Sequence, residues 1–209
     1  MKTRFLAAVG IALAATTVAT TLPAGAAPRA ASTSTIADVL LADSAKDTNG
    51  FDRNWRDYDI VTQAVLLFPD LVAAAQNPSA SLTVLAPTDD AFRRLATELT
   101  KKKYTNEADV FAAIASLGTD TVKAVLTYHI VGAKLGPATV LASDDAQLAT
   151  LSGGTFGVDV ISKKAAFVQF VDGDPNARNP YLRQISVGGG ELANGYIHGI
   201  DRVLRPLDL

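Results

Sequence analysis

The C-terminal segment from Gly190 to Pro206 constrains the fold of this chain more than any other stretch. Its Asn194-Gly195 pair favours a tight turn, and alternating apolar and polar residues follow from Tyr196 onward. This pattern predicts a hairpin turn that leads into a terminal β-strand. The chain is therefore expected to end in a β-sheet.

Two earlier segments accompany this one, and the three together resemble the signature segments of the fasciclin-like family. Residues 83–92 have the sequence TVLAPTDDAF, which is similar to the family pattern T-x-F-A-P-T-x-x-A-F. Residues 126–131 contain a Tyr-His pair, and residues 194–204 match N-G-x-x-H-x-I-D-x-V-L. Three blocks in order are far more specific than one. The chain is identified as a fasciclin-like protein of a bacterial secreted type, over roughly residues 33–207.

This resemblance implies an α+β fold, a bent β-sandwich or wedge with helices packed over one end. The order of the predicted elements, helices first and strands later, favours α+β as well. The resemblance also implies adhesion or extracellular binding without catalysis. It further implies structural roles for a set of motif residues, namely Thr88, Asn194, Gly195, His198 and Asp201.

The N-terminus has the three parts of an export signal. Lys2 and Arg4 precede an apolar run from Phe5 to Val18, and Ala24-Gly25-Ala26 supplies a cleavage site. We therefore expect residues 1–26 to be a signal peptide that is removed on secretion.

The mature chain is expected to contain one domain. Residues 27–34 are Ala, Ser, Thr and Pro with one Arg, which is typical of a flexible tether, and residues 35–207 form a single fasciclin-like domain. The expected location is extracellular, with association with the cell wall as a further option. No second long apolar stretch indicates an integral membrane segment.

The composition of the chain limits which partners, covalent cross-links and metal sites are possible. The formal net charge of the chain is −2, and this mild acidity argues against a nucleic-acid partner. The chain has no cysteine, which excludes disulfides and thiolate metal sites. One basic run, Lys101–Lys103, allows a contact with an anionic polymer, although a solvated helix end is the favoured interpretation.

Several local patterns predict individual elements. Thr35–Asp38 has the spacing of a capping box at a helix start, and a second helix is expected from about Ile60 to Ala75. Leu82–Ala86 is a short apolar strand, after which Thr88 fits a helix N-cap. A further helix is expected from about Asn106 to Leu117, and another after it that carries the Tyr-His pair. The remainder is expected to form short strands and turns.

The sequence offers little for catalysis or for a cofactor. The two histidines, His129 and His198, lack a His-x-x-x-His or His-Glu-x-x-His spacing, and a metal site with Asp201 would need the fold to bring both together. The favoured interpretation is two buried, hydrogen-bonded rings. The Asp172–Asn176 stretch begins like a calcium loop but lacks its later residues, so a polar turn is favoured. We expect no catalytic, cofactor or metal residues.

An insertion at residues 45–59 is the most interesting feature outside the family pattern. It contains the only tryptophan, and its aromatic side chains are four and then three residues apart, which is helical spacing. The rings either dock on the core, which is favoured, or form a binding surface with the neighbouring arginines. The candidate binding residues of this segment are Phe51, Arg53, Trp55, Arg56 and Tyr58.

The second candidate surface is Tyr128 with His129, because the resemblance places them where adhesion by animal members has been mapped. The chain departs from the family pattern at Gly199, where a β-branched residue is usual. That glycine predicts a close backbone approach or a weakened strand. An Arg-Gly-Asp tripeptide is absent, so adhesion through that tripeptide does not transfer to this chain.

The favoured function is non-catalytic binding of an extracellular protein or glycan. A small-ligand carrier with an apolar pocket is the first alternative, and an enzyme is the second, for which the sequence supplies no constellation. An exposed aromatic patch would favour a macromolecular partner, and a deep apolar pocket would favour a carrier.

Overall fold

The computed structural model describes residues 32–44 and 48–207. These residues belong to one compact unit. The signal peptide predicted at residues 1–26 and most of the tether predicted at 27–34 lie outside the described residues.

Helices dominate the first two thirds of the described chain. Seven α-helices are present there: α1 (Ile36–Ser44), α2 (Asp59–Leu66), α3 (Pro69–Gln76), α4 (Asp89–Thr100), α5 (Glu107–Ala115), α6 (Thr119–Tyr128) and α7 (Pro137–Ala142). A short 3₁₀ turn, Thr48–Gly50, lies between α1 and α2. Taken singly, none of the helices in the described residues has the length and apolar character needed to cross a membrane.

The capping box predicted at the start of α1 is confirmed. The Thr35 backbone N–H donates to Asp38 Oδ2 at 2.7 Å, and the Asp38 N–H donates to Thr35 Oγ1 at 3.2 Å. The two side chains therefore satisfy backbone donors at the helix N-terminus reciprocally, although the acid is Asp rather than Glu.

The single helix predicted from Ile60 to Ala75 is wrong, because the chain forms two helices there. Helices α2 and α3 meet at a bend of 113°. Pro69 lies in the first turn of α3 and Phe68 has extended backbone angles. Proline has no N–H to donate and disfavours helical geometry in the residue before it, so the first helix ends. Helix α7 was not predicted at all, and it also begins with a proline, Pro137.

The strands form two sheets. The strands are β1 (Leu82–Pro87), β2 (Ile130–Val131), β3 (Gln147–Ala149), β4 (Thr155–Ser162), β5 (Phe167–Val171), β6 (Leu182–Gln184) and β7 (Gly195–Ile200). One sheet has the order β2-β1-β7-β6 and the other β3-β4-β5.

The terminal strand predicted from the Asn194-Gly195 segment is β7, but its pairing differs from a simple hairpin. Leu192 and Gly195 form an isolated bridge, so Ala193 and Asn194 are the two central residues of the turn. Strand β7 then runs parallel to β1 and antiparallel to β6. The strand is therefore central in its sheet.

The four-stranded sheet separates two apolar clusters. Val84 and Ala86 of β1 lie in the cluster formed with the helices, whereas Leu85 lies in the cluster formed with Phe156 and Phe170 of the second sheet. Successive strand residues point to opposite faces, and both faces are buried here. The fold is therefore α+β, with most of the helices on one face of the sheet and the second sheet, together with α7, on the other.

Candidate functional site

Tyr128 and His129 lie inside the protein, with 1% and 3% of their surface exposed. The Tyr128 hydroxyl donates to the Thr155 carbonyl at 2.7 Å. His129 Nδ1 lies 2.7 Å from the Val125 carbonyl, to which it donates, and Nε2 accepts the Leu204 N–H at 2.8 Å. This burial corrects the expectation of a binding surface at the Tyr-His pair, since in this structure both side chains hold α6 against neighbouring backbone.

His198 is also fully buried and is held at both ring nitrogens. Its Nδ1 accepts the Ser186 N–H at 3.1 Å, and its Nε2 donates to the Leu135 carbonyl at 2.8 Å. Each histidine thus has its lone-pair nitrogen occupied by a backbone N–H. Burial lowers the pKa of His129 to about 4, against the opposing effect of the Val125 carbonyl. Burial likewise lowers the pKa of His198.

Asn194 and Gly195 fix the start of β7. The Asn194 side chain accepts the Ile36 N–H at 2.9 Å and donates to the Ala75 carbonyl at 2.7 Å, so it links α1 and α3 to the sheet. Gly195 has φ +145°, and a Cβ there would lie 1.7 Å from the Leu82 carbonyl oxygen. A side chain at this position is incompatible with the β1–β7 pairing.

Asp201 supports the other end of β7. Its Oδ1 accepts the Tyr181 N–H at 2.7 Å, and its own N–H donates to the Tyr181 carbonyl at 3.1 Å. This exchange with Tyr181 fits the structural role that the resemblance implies for Asp201.

The aromatic segment from Phe51 to Tyr58 is not a helix, which corrects the prediction from its spacing. It is an irregular loop with a turn at 55–56. Its three rings point to different neighbours. Phe51 lies 5.5 Å from the Phe111 ring, and the Tyr58 hydroxyl contacts Gly199 and lies 3.3 Å from Gln184 Oε1. The loop is therefore docked on the domain.

Gly199 is explained by this docking. A Cβ at Gly199 would lie 2.1 Å from the Tyr58 hydroxyl oxygen, so a β-branched residue has no room there. A close approach is therefore found at Gly199, but the approaching group is the Tyr58 side chain and not another backbone segment. Tyr58 is buried, and this burial raises the pKa of its hydroxyl to about 12.

The same loop caps α4. The Asp89 N–H donates to the Asp57 carbonyl at 3.1 Å, and the Asp90 N–H donates to the Trp55 carbonyl at 2.9 Å. Thr88 occupies the N-cap position as predicted, but its side chain makes no capping hydrogen bond. Backbone carbonyls of the loop satisfy these N–H groups instead, which joins the loop rigidly to the helix.

A cleft of about 550 Å³ lies where this loop, the start of α4 and the end of the β6–β7 pair meet. We refer to it as the Trp55 cleft. Its lining combines one tryptophan, four arginines and several other polar groups: Trp55, Arg56, Tyr58, Thr88, Asp90, Arg93, Arg94, Arg183, Gln184 and Asp201. It brings together three of the five candidate residues of the insertion. Arg53 is exposed beside it and Phe51 packs inside, so neither lines it.

Three charged side chains of the cleft, Asp90, Arg93 and Arg94, hold one another in place. Asp90 forms ion pairs with Arg93 and with Arg94, the latter at 2.7 Å. Partial burial would raise the pKa of Asp90, but hydrogen bonds from both arginines outweigh it and lower the pKa. The Arg93 guanidinium carbon lies 4.8 Å from the centre of the Trp55 ring, which is a cation–π contact. One carboxylate thus positions two guanidinium groups, with one positive charge in excess.

A buried group of carboxylates lies beneath the same helix start. Asp59, Asp89 and Glu107 are buried, and ligand oxygens from the three lie within 4.8 Å of one another. Asp89 Oδ1 accepts the Ile60 N–H at 2.9 Å, so it also caps α2. Burial, together with the hydrogen bond to Asp57, raises the pKa of Asp89 to about 10. The carboxylate oxygens of these three residues lie close enough together to bind a cation or to share a proton.

Sequence reasoning missed this group, because Asp59, Asp89 and Glu107 come from three separate helix starts. Acids in the first turn of a helix are ordinarily explained by the helix dipole alone. Only the reciprocal packing of α2, α4 and α5 shows that these first turns meet.

A pocket for a small apolar ligand is not supported at the apolar cavity between α1, α2 and α3. That cavity, which Leu40, Val65 and Val72 line in part, has a volume of about 20 Å³. Ligand pockets usually measure roughly 300–1,000 Å³. Within the described residues, the larger depressions are open and have charged linings.

Comparisons with known proteins agree with the architecture. A family model for the fasciclin domain matches residues 59–206. A solved structure of a FAS1 domain pair from the insect cell adhesion molecule fasciclin I matches with a TM-score of 0.57 and 15% identity, over 83% of this chain and 51% of that one. The chain thus spans about half the length of that structure, and at this identity the likeness shows the fold alone. No curated protein gives a significant match.

Proposed function

The chain belongs to the fasciclin domain family, and on this basis we propose that it is a non-catalytic binding module that acts in adhesion at the cell exterior. The partner is an extracellular protein or glycan, and the Trp55 cleft is the binding site. We propose that the domain extends from about residue 35 to 207, and the packing of Ile36 and Leu40 of α1 into the same apolar cluster as the sheet supports these bounds.

The observation that carries this proposal is the composition of the Trp55 cleft. Tryptophan and arginine are the residues most enriched among those that dominate binding energies. Trp55 is half-buried against the core and stacked under Arg93, so it is already ordered before a partner arrives. A preordered site loses less conformational entropy on binding. Arg56 and Arg183 are exposed at the cleft and have no ion-pair partner among the described residues.

Catalysis is not favoured by the same geometry. A general base needs a free lone pair, and the lone-pair nitrogens of His129 and His198 both accept backbone N–H groups. The buried carboxylates beneath α4 are closed off from the cleft by their burial. These contacts support structural roles for the histidines.

Export is part of the proposal and depends on residues 1–26. A secreted form should begin close to Ala27, and N-terminal sequencing of material recovered outside the producing cell tests this. A secreted form that retains Met1 would contradict it.

The binding site is tested with a double variant, Arg56→Ala/Arg183→Ala. Both side chains are exposed, so the variant should fold normally. Immobilised mature wild-type domain should retain a component of the producing cell's surface extract that the double variant loses. The matched control is Arg53→Ala, which removes an exposed arginine three residues from Arg56 but outside the cleft.

Equal retention by the wild-type domain and the double variant would show that the cleft is not the site. If Arg53→Ala loses this component as completely as the double variant does, the loss reflects the overall positive charge of the surface and not the cleft.

A further inference from the structure

We propose that the partner of this domain is a linear acidic polysaccharide that bears carboxylate groups and lies along α4. This inference rests on the proposed function, since it begins in the Trp55 cleft. It adds two further depressions that join the cleft, and we refer to the three together as the basic stripe.

The second depression continues from the cleft along α4. It has a volume of about 590 Å³ and shares Arg93 and Arg94 with the cleft. Lys103, just beyond the helix end, and Arg202 of the C-terminal segment also line it. Lys103 is exposed, and among the described residues no carboxylate pairs with it.

The third depression shares Arg202 and Glu98 with the second and has a volume of about 500 Å³. It adds Lys101, Arg178 and Arg205. Because each depression shares residues with the next, the surface is continuous. The twelve residues of α4 alone span about 18 Å, so the stripe is long enough for several units of a polymer.

The stripe concentrates positive charge on a chain that is acidic overall. Nine of the 19 lysines and arginines line it, against only four of the 21 aspartates and glutamates. The net charge of −2 therefore conceals a strongly basic surface. Such a surface attracts a polyanion.

The few carboxylates in the stripe order its arginines and leave part of the positive charge uncompensated. Glu98 pairs with Arg202 at 3.5 Å and with Arg205, as Asp90 pairs with Arg93 and Arg94 in the cleft. In each group two guanidiniums surround one carboxylate, but Arg205 also pairs with Asp174 at 3.2 Å, so only the Asp90 group keeps a positive charge in excess. The protein thus already presents the planar, forked donors that carboxylates bind well.

The absence of stacking platforms along the stripe, within the part of the chain that the structure describes, favours a sugar polymer over a nucleic acid. Single-stranded nucleic acids are held by aromatic side chains on which bases stack. Of the aromatic residues that line the stripe, Trp55 is half-buried with Arg93 over its ring, and Tyr58 and Tyr104 are buried. Charge is therefore the main recognition element.

The test measures binding of the mature domain to polygalacturonate oligosaccharides by titration calorimetry. Neutral dextran, monomeric galacturonate and a single-stranded oligothymidylate are the comparison probes. We expect binding to the oligosaccharides that increases with their length and weakens as NaCl rises from about 0.05 to 0.5 M, because salt screens exposed charges. Dextran and the monomer should bind far more weakly.

Charge reversal along the stripe should weaken this binding by roughly tenfold or more, in the variant Arg56→Glu/Lys103→Glu/Arg178→Glu. All three side chains are exposed. The matched control is Lys163→Glu/Lys164→Glu in the β4–β5 turn, outside the stripe, which should change the affinity little.

Equal losses in the stripe variant and the control would overturn the proposal, as would tighter binding of oligothymidylate than of polygalacturonate. If no acidic polysaccharide binds but the Arg56→Ala/Arg183→Ala variant still loses a surface component, this inference fails and the cleft stands. If charge reversal at Lys103 and Arg178 weakens polygalacturonate binding but reversal at Arg56 and Arg183 does not, the polymer binds further along α4, outside the Trp55 cleft. The proposed cleft site then fails.

Discussion

Two regions of this domain differ in what their side chains contact. The family signature at residues 128–129 and 194–201 places its polar side chains against backbone inside the protein, as with His198 and Asn194. The loop at 51–58 and the outer face of α4 place arginines at the surface. The residues that identify the family therefore hold the fold, whereas the candidate binding residues lie where the family pattern says least.

The contrast is sharpest between two adjacent residues of α4. Asp89 is buried and its pKa is raised to about 10, chiefly by that burial. Asp90 forms ion pairs with Arg93 and Arg94 at the cleft, and its pKa is lowered. A motif that contains both acids thus contributes one residue to the core and one to the surface.

The largest expected effect is that of Gly195→Ala. The new Cβ would meet the Leu82 carbonyl oxygen at 1.7 Å, so β1 and β7 would have to separate. We expect the free energy of unfolding to fall by ~4 kcal/mol or more, which is the range of severe core changes. Urea unfolding followed by circular dichroism measures it.

Gly153→Ala is the matched control for this change. Gly153 also has positive φ, at +86°, but a Cβ added there would have no atom of another part of the described chain within 4 Å. Only backbone strain should remain, about 1 kcal/mol. Similar losses at both glycines would mean that the β1–β7 contact is not the decisive constraint.

Acid should destabilise the signature region through its histidines. The folded pKa of His129 is about 4, below its ordinary 6.5, so between these values the unfolded chain binds more protons than the folded one. Stability should therefore fall as the pH drops from about 6.5 to about 4, by at most ~1.4 kcal/mol per pH unit for this group. His198, whose pKa is also lowered, acts in the same direction.

The variant His129→Gln should flatten this acid limb, measured as urea midpoints between about pH 4 and pH 7, because it removes the titrating group. An unchanged slope would place the acid sensitivity elsewhere and remove His129 from the comparison.

Trp55→Ala should have a smaller effect on stability. The ring packs on the core but is only half-buried, so we expect a loss of ~2 kcal/mol rather than the ~3–5 kcal/mol of a fully buried aromatic. Tryptophan fluorescence of the wild type should be partly protected from acrylamide. A fully quenchable ring together with unchanged stability would make Trp55 a free surface group.

Removal of the ionisable group at Asp89 is the change that we expect to stabilise the protein. Because its folded pKa lies far above the ordinary value near 3.8, the folded chain binds the extra proton and stability falls as the pH rises from about 4 to about 10. Asp89→Asn keeps an acceptor for the Ile60 N–H and cannot ionise. It should stabilise the protein relative to wild type at about pH 9, measured by urea unfolding.

Asp90→Asn is the control for Asp89→Asn, since it loses only surface ion pairs and should cost less than about 1 kcal/mol. The measurement is repeated with EDTA. Destabilisation by Asp89→Asn at about pH 9, or a midpoint that falls with EDTA, would indicate that the buried carboxylates are ionised and hold a cation.

Sequence patterns predicted the elements whose signals are local. The capping box at Thr35–Asp38, the strand at Leu82–Ala86 and the N-cap position of Thr88 depend on neighbouring residues and are found where expected. The single helix predicted over 60–75 was wrong. Its apolar spacing continues past Pro69, but the proline ends the first helix and starts a second one. Helix α7 went unnoticed because it has only six residues.

The candidate site was predictable only in part. The aromatic and arginine content of residues 51–58 marked this loop as unusual, but its helical spacing gave the wrong local structure. Arg93, Arg94 and Arg183 were not singled out, because they lie about 40 and 130 residues further along the chain. Only the tertiary fold shows that they share a cleft with Trp55.

The division between the two regions is tested most directly by measuring both unfolding free energy and polygalacturonate affinity for one variant, Arg56→Glu/Arg183→Glu. We predict a free energy of unfolding within about 0.5 kcal/mol of wild type, since both side chains are exposed, and an affinity roughly tenfold weaker. An unchanged affinity, or a loss of stability comparable to that of Gly195→Ala, would contradict the assignment of binding to the cleft and of stability to the signature segments.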